Sequence, residues 1–302
     1  MENEQLSTYE KVRSGGDGKG KGVVKPEDMQ LLQERLFENL VYFDEFCNRF
    51  GLAYCLAEGT CLGAVREHDF IPWDDDLDVG MPRKDYDRLF ELWEEFGDKN
   101  RFSLYRTTQD FCAYVPIGLL RNNSTTYIRD FEGNLKDRNL GVKIDIAPID
   151  ELSDNLRKRK IQRYAGLLYV LFLTQRKPRV PRKKKYINTI ANILLSVIRN
   201  KRIRQWIVKK TEIQVTKYNG QGHTFGAFNG IERNAGLWKM NDINKRVRMM
   251  FHGKEFFVPL NYDEYLTRVY GDYMCKPPVE KRLPLDTPLY YDLNKPCLKQ
   301  NG

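Results

Sequence analysis

A chain of 302 residues, 41% hydrophobic and 12% aromatic, is long and apolar enough to bury a real core, as a folded protein does. Its six cysteines never fall in a C-x-x-C spacing and its three histidines are scattered, so no zinc or disulfide framework is legible and reduced thiols in a cytosol are expected. The net charge of +9 comes from one segment: Asn155 to Thr211 holds 18 Lys and Arg and no Asp or Glu, leaving the rest about nine charges negative.

In chain order, residues 1–25 are polar and Gly/Lys-rich, without the apolar stretch of a signal peptide, and read as a flexible tail. From Pro26 to Phe50, Leu32, Leu36, Leu40, Phe43, Cys47 and Phe50 recur at three or four, predicting a helix that Gly51 stops. "LAYCLAEGT" (52–60) predicts a buried strand opening into a short helix, "TCLGAVRE", a junction whose free N–H groups suit phosphate. "DLDVGM" alternates as a second strand, "PRKDYDRLFELWEEFG" (82–97) is a helix framed by Pro and Gly, and "GVKIDIAPID" (141–150) is a third strand that Pro148 should end. "RFSLYRT" and "CAYVPIGLLRN" read as sheet segments, and "STTYIRDFEGN" as a strand running into a turn. "GAFNG" suggests a strand returning to the site, and a closing helix starts near Tyr262. The order fits an α/β domain with a mixed sheet. Residues 26–154 are expected to form the core of this domain, 155–211 a basic helical insertion, and 212–302 to complete it.

Within the insertion, "AGLLYVLFLTQ" (165–175) and "YINTIANILLSVI" (186–198) are shorter than the ~20 residues needed to cross a bilayer. Flanked by "RKRK", "RKPRVPRKKK" and "RNKRIR", they read either as helices lying on an anionic membrane or as core helices with solvated basic caps. No nucleic-acid motif accompanies them, and nucleic acid is not an expected partner.

The chemistry concentrates in "IPWDDDLDVGMPR" (71–83). Alternation on a strand points Asp76 and Asp78 the same way, roughly 6 to 7 Å apart, while Leu77 and Val79 enter the core. Carboxylates so close repel and raise each other's pKa unless cations neutralise them, and an all-oxygen set favours Mg²⁺ or Mn²⁺, two ions forming a clamp for phosphoryl displacement. Asp145, alone and polar in its apolar strand, can supply a third carboxylate; Asp74, in register with Asp76, an outer one. Asp75 should face away. Arg66 and Arg83 suit either donor phosphates or ordinary ion pairs, Trp73 either a base or the core, and His68 a loop.

"EGTCLGAVREHDFIPWDDDLDVGMPRKDYDRL" (58–89) resembles the signature of the LicD family of phosphotransferases, relatives of fukutin within the nucleotidyltransferase-fold superfamily. "VKIDIAPID" is similar to the family's third-acid strand, and "YDEYLTRVYGDYMCKPPVEKR" (262–282) resembles its C-terminal signature, with Tyr270, Gly271 and Asp272 at its centre. Two positions depart from the pattern: Asp69 stands where glycine is frequent, and "EKRLPLDTP" lacks the usual histidine. The resemblance implies transfer of a phospho-alcohol, such as phosphocholine, from a CDP-activated donor (CDP-choline, CDP-ribitol or CDP-glycerol) to a hydroxyl of a cell-surface glycan or its lipid-linked precursor. It carries Gly59 and Thr60 over as the donor-phosphate turn, Asp76 and Asp78 as metal ligands, and Asp145 as third ligand or general base. Such an enzyme is expected in the cytoplasm, peripheral on the inner face of the plasma membrane. Two other outcomes stay open: a nucleotidyltransferase that releases pyrophosphate, and a non-catalytic scaffold that binds membrane or nucleic acid.

Overall fold

The computed structural model describes residues 23–108, 113–129, 132, 138–176, 185–221, 224–226, 237–239 and 245–297. Helix α1 (Pro26–Phe50) runs over the predicted span. Gly51 closes it at φ 64, and the N–H groups of Gly51 and Leu52 return to the carbonyls of Asn48 and Cys47. The predicted strand at 52–60 is shorter, β1 (Cys55–Leu56), because α2 (Glu58–Arg66) already begins at Glu58. There follow β2 (Asp78–Pro82), α3 (Arg83–Phe96), β3 (Phe102–Tyr105), β4 (Gly118–Asn122), β5 (Thr126–Arg129) and β6 (Lys143–Leu152). The basic segment forms three helices, α4 (Leu156–Thr174), α5 (Lys185–Val197) and α6 (Lys201–Thr216). The chain then adds β7 (Thr224–Gly226), β8 (Leu237–Lys239), the hairpin β9 (Arg246–Phe251) and β10 (Lys254–Pro259), α7 (Tyr262–Tyr270) and β11 (Pro288–Asp292). The tail to residue 22 and most of "GAFNG" lie outside the described residues.

The fold is mixed α/β. The main sheet runs β1-β2-β6-β4-β3, with β2 and β6 parallel and the other pairs antiparallel; β7 also joins β6, and β8 joins β7. Helix α1 is pinned across this sheet by Asn39, fully buried, whose side-chain amide donates to the carbonyls of Leu120 (3.3 Å) and Val142 (2.9 Å).

Two expectations about strands are corrected. Strand β2 starts at Asp78, so Asp76 belongs to the extended turn before it, although the ladder reaches Leu77, whose carbonyl accepts the Asp145 N–H at 2.8 Å. Strand β6 does not end at Pro148 but runs on to Leu152. Residues 145, 147 and 149 turn their backbone groups toward β2, so Pro148 turns its own toward the opposite edge. There β4 pairs up to Ile146 and β7 pairs from Asp150, and the missing N–H falls in the gap between them.

Candidate active site

The turn between β1 and α2 is held under strain. Glu58 sits at φ 47, and its N–H donates to the hydroxyl of Tyr265, a fully buried residue of α7 (3.1 Å). The C-terminal block therefore reaches the site through Tyr265, while Gly271 caps its helix at φ 74. The N–H groups of Gly59 and Thr60 follow in the first turn and find no acceptor among the described residues, which leaves them available to an anion. The Thr60 hydroxyl accepts the Asp78 N–H at 2.9 Å, tying the helix start to the strand start. Gly59 packs on the acidic loop so closely that a Cβ there would stand 2.8 Å from Asp74 Oδ2.

The loop from Ile71 to Leu77 is anchored at both ends by buried side chains, and Gln33 of α1 donates to the carbonyls of Ile71 (3.2 Å) and Asp74 (3.0 Å). Strand pairing then sets Asp78 directly beside Asp145 in parallel register. Both are half-buried, as is Asp76. Burial pushes the Asp78 carboxyl well above its usual range, and the charges of Asp76 and Asp145 push it further. Asp76 is raised to about 6 by burial, against the opposing pull of Lys143. Asp74 is raised further, to about 8, by burial and then by the charge of Asp76. These groups gain from any cation that enters among them.

Asp75 faces away from this cluster. It accepts the N–H groups of Leu285 (2.9 Å) and Asp286 (3.1 Å), so the acidic run also moors the C-terminal segment. Burial raises it to about 6.

Sequence reasoning missed three residues here. Lys143 donates to Asp145 Oδ1 at 2.7 Å, with its side chain almost fully buried; it stands two positions before Asp145 on the same face of β6, in the very motif that singled Asp145 out. Asp286 is near enough for its charge to raise Asp75 and Asp76, and only the fold brings it there. Arg129 of β5, paired with buried Glu132, lies within the field of Asp145 and Asp286.

Other expected residues fall elsewhere. Arg83 is at the far end of β2, where its guanidinium grips buried Asp150 with two bonds (2.9 and 2.7 Å). Arg66 pairs with Glu67 and donates to the Tyr273 carbonyl. Both arginines make structural ion pairs. Trp73 lies under the guanidinium of Arg282, 5.3 Å from the ring centroid, and His68 is an exposed turn residue at φ 53.

A strand, a Gly-Thr helix start, a carboxylate-bearing strand and a third acid on its parallel neighbour meet in one place. Residues 51–124 match the family model described as the LicD/FKTN/FKRP nucleotidyltransferase domain. Over those residues the chain is similar to the LicD family. The lipopolysaccharide cholinephosphotransferase LicD of Haemophilus influenzae is 26% identical to it over 258 residues, covering 81% of this chain and 91% of the relative. An uncharacterised protein of Rickettsia prowazekii is 32% identical over 68 residues, 22% of this chain and 26% of that protein.

The acids offer oxygen ligands alone, a donor set that fits a hard divalent cation. As the side chains stand, no three His, Cys, Asp or Glu among the described residues are grouped closely enough to hold one ion: Asp145 is engaged by Lys143, and Asp74 by Asp76. A cation that joined Asp78 and Asp145 would replace Lys143 as the counter-charge.

Proposed function

We propose that this chain is a metal-dependent phosphotransferase that moves a phospho-alcohol, phosphocholine or a similar group, from a CDP-activated donor to a hydroxyl of a cell-surface glycan or its lipid-linked precursor. The observation that carries this reading is the register of Asp78 beside Asp145, in a chain similar along most of its length to a lipopolysaccharide cholinephosphotransferase. Asp76 and Asp78 would hold Mg²⁺ or Mn²⁺, which when bound would neutralise the donor phosphates and the departing nucleotide, while Asp145 stays with Lys143 as the base. The free N–H groups of Gly59 and Thr60 orient the donor diphosphate, and Arg129 adds positive charge at its margin. The acceptor oxygen attacks the phosphorus that bears the alcohol. One P–O bond forms, the anhydride P–O bond breaks, CMP leaves, and the hydroxyl proton passes to Asp145, whose carboxylate Lys143 holds in place.

The basic segment suits an anionic membrane surface at the cytoplasmic face, where a lipid-linked acceptor would be met. Each of its three helices leaves large apolar residues exposed, including Ile161 and Tyr164, Ile190 and Ile193, and Trp206. No described helix is long and apolar enough to cross a membrane.

Incubation with Mg²⁺ and a panel of CDP-choline, CDP-ribitol and CDP-glycerol, with and without glycan, tests the reading by release of CMP. Pyrophosphate release from a nucleoside triphosphate would instead assign nucleotidyl transfer. Absence of both products would overturn catalysis altogether.

A further inference from the structure

Strands β2 and β6 carry the acids near their starts and Arg83 and Asp150 near their ends, roughly 13 to 17 Å further along. At that far end lies a cavity of about 710 Å³ between α3, the segment ahead of β4, and the basic helices α4 and α6. Its apolar lining includes Tyr86, Ile117, Tyr169, Phe172 and Val208. Two of its arginines are neutralised, Arg83 by Asp150 and Arg106 by Asp87 (2.8 Å). Arg199, Lys201, Arg204 and Lys209 remain, none paired with a carboxylate among the described residues, and they face one lining carboxylate not already engaged by an arginine, that of Glu212.

One face of helix α6 borders this cavity. Residues 201, 204, 205, 208, 209 and 212, at spacings of one, three and four, line it and bring Lys201, Arg204 and Lys209 to its edge. Away from it Ile203, Trp206 and Ile213 are 50, 61 and 50% exposed, beside the exposed Arg202 and Lys210. Helix α5 presents Tyr186, Ile190, Ile193 and Val197 as one exposed stripe at i, i+4, i+7 and i+11, and the stripe ends two residues before Arg199, at the cavity. An anion inside and an apolar phase outside would stabilise both features at once.

We propose that this cavity is a second binding site, for the phosphate head group of an anionic lipid: Arg199, Lys201, Arg204 and Lys209 take the phosphate, and the acyl chain leaves along the stripe of α5. Apolar walls with no recognisable nucleic-acid motif favour a lipid over a polynucleotide. The site extends the membrane-surface reading and shares no residue with the acids, so it is read by direct binding and not by turnover.

The test is the melting temperature of the full chain titrated with water-soluble dihexanoyl phosphatidic acid, with inorganic pyrophosphate and a single-stranded oligonucleotide as parallel arms. A saturable rise of several degrees with the short-chain lipid is expected. In K201Q/K209Q the half-saturating concentration should increase at least tenfold, and in I117W, which fills the cavity and leaves the charges, the rise should disappear. Circular dichroism and the unliganded melt verify that both variants fold. An equal response to pyrophosphate would overturn the lipid as the source, and an equal response to the oligonucleotide would overturn the class. No saturable rise, or an unchanged one in both variants, would overturn the site. Vesicle sedimentation, run separately, reports whether the surface adsorbs to membrane at all, so failure there is distinguishable from failure of the cavity.

Discussion

Replacing Thr60 with valine keeps the shape of a buried side chain and deletes one oxygen, the acceptor of the Asp78 N–H at 2.9 Å. That N–H turns toward the β1 edge, where Ala57 already bonds the Asp78 carbonyl, and no other acceptor replaces the hydroxyl. Leaving a partly buried donor without a partner costs about 1–3 kcal/mol. For a chain of this size that corresponds to a fall in melting temperature of roughly 2–5 °C. The larger effect should be on turnover, because the same bond fixes the start of β2 and with it the position of Asp78 beside Asp145. A misplacement near 1 Å can lower the rate about a hundredfold. Thr60→Ser restores the acceptor and should recover most of the lost rate while retaining a small packing defect. Melts and CMP release for the pair decide the matter: an unchanged melting temperature and rate in Thr60→Val would refute the claim that this hydroxyl sets the acid strand.

Three further outcomes are expected. Asp78→Asn should abolish CMP release yet melt no lower than the parent, since it removes a charge that burial and two neighbouring carboxylates already oppose; retained turnover would remove the metal-ligand role. Burial alone would raise Glu132, but Arg121 and Arg129 hold it down to about 2, so its contribution, up to about 3 kcal/mol, is present above the usual glutamate pKa and lost as pH falls from about 4.5 through 2. Denaturant midpoints measured across that window should fall steeply, and in Glu132→Gln, less stable throughout, they should fall less. Exchanging Ile190, Ile193 and Trp206 for serine should reduce sedimentation with phosphatidylglycerol vesicles several-fold without lowering the melting temperature, since these side chains are exposed; unchanged sedimentation would leave the core-helix reading of the basic segment.

What the sequence disclosed followed from local rules. Apolar periodicity with Gly51 set the bounds of α1, and Pro82 and Gly97 framed α3, because helix ends depend on a few neighbouring residues. Alternation marked Asp78 and Asp145, whose register brings their two strands together, but it placed Asp76 on a strand that begins only at Asp78. Pro148 misled, because whether a missing N–H costs anything depends on which strand lies opposite, a fact of topology. Lys143 was in plain view but its pairing with Asp145 needed the face, and Asp286 arrives from more than 200 residues away through the mooring on Asp75. Arg83 was close to the acids in number and a strand's length from them in space.

That strand's length has a consequence for how such a chain can change. Between Asp145 and Asp150, β6 links the acid cluster to the grip on Arg83, with each residue assigned to a face by its parity. Side chains along this interval can be exchanged, but gaining or losing a single residue would turn one of the two ends over and swap inward for outward beyond it. The spacing of five therefore decides which face each end presents, and a chain that changes it must restore the parity with a bulge to keep both the acid and the grip.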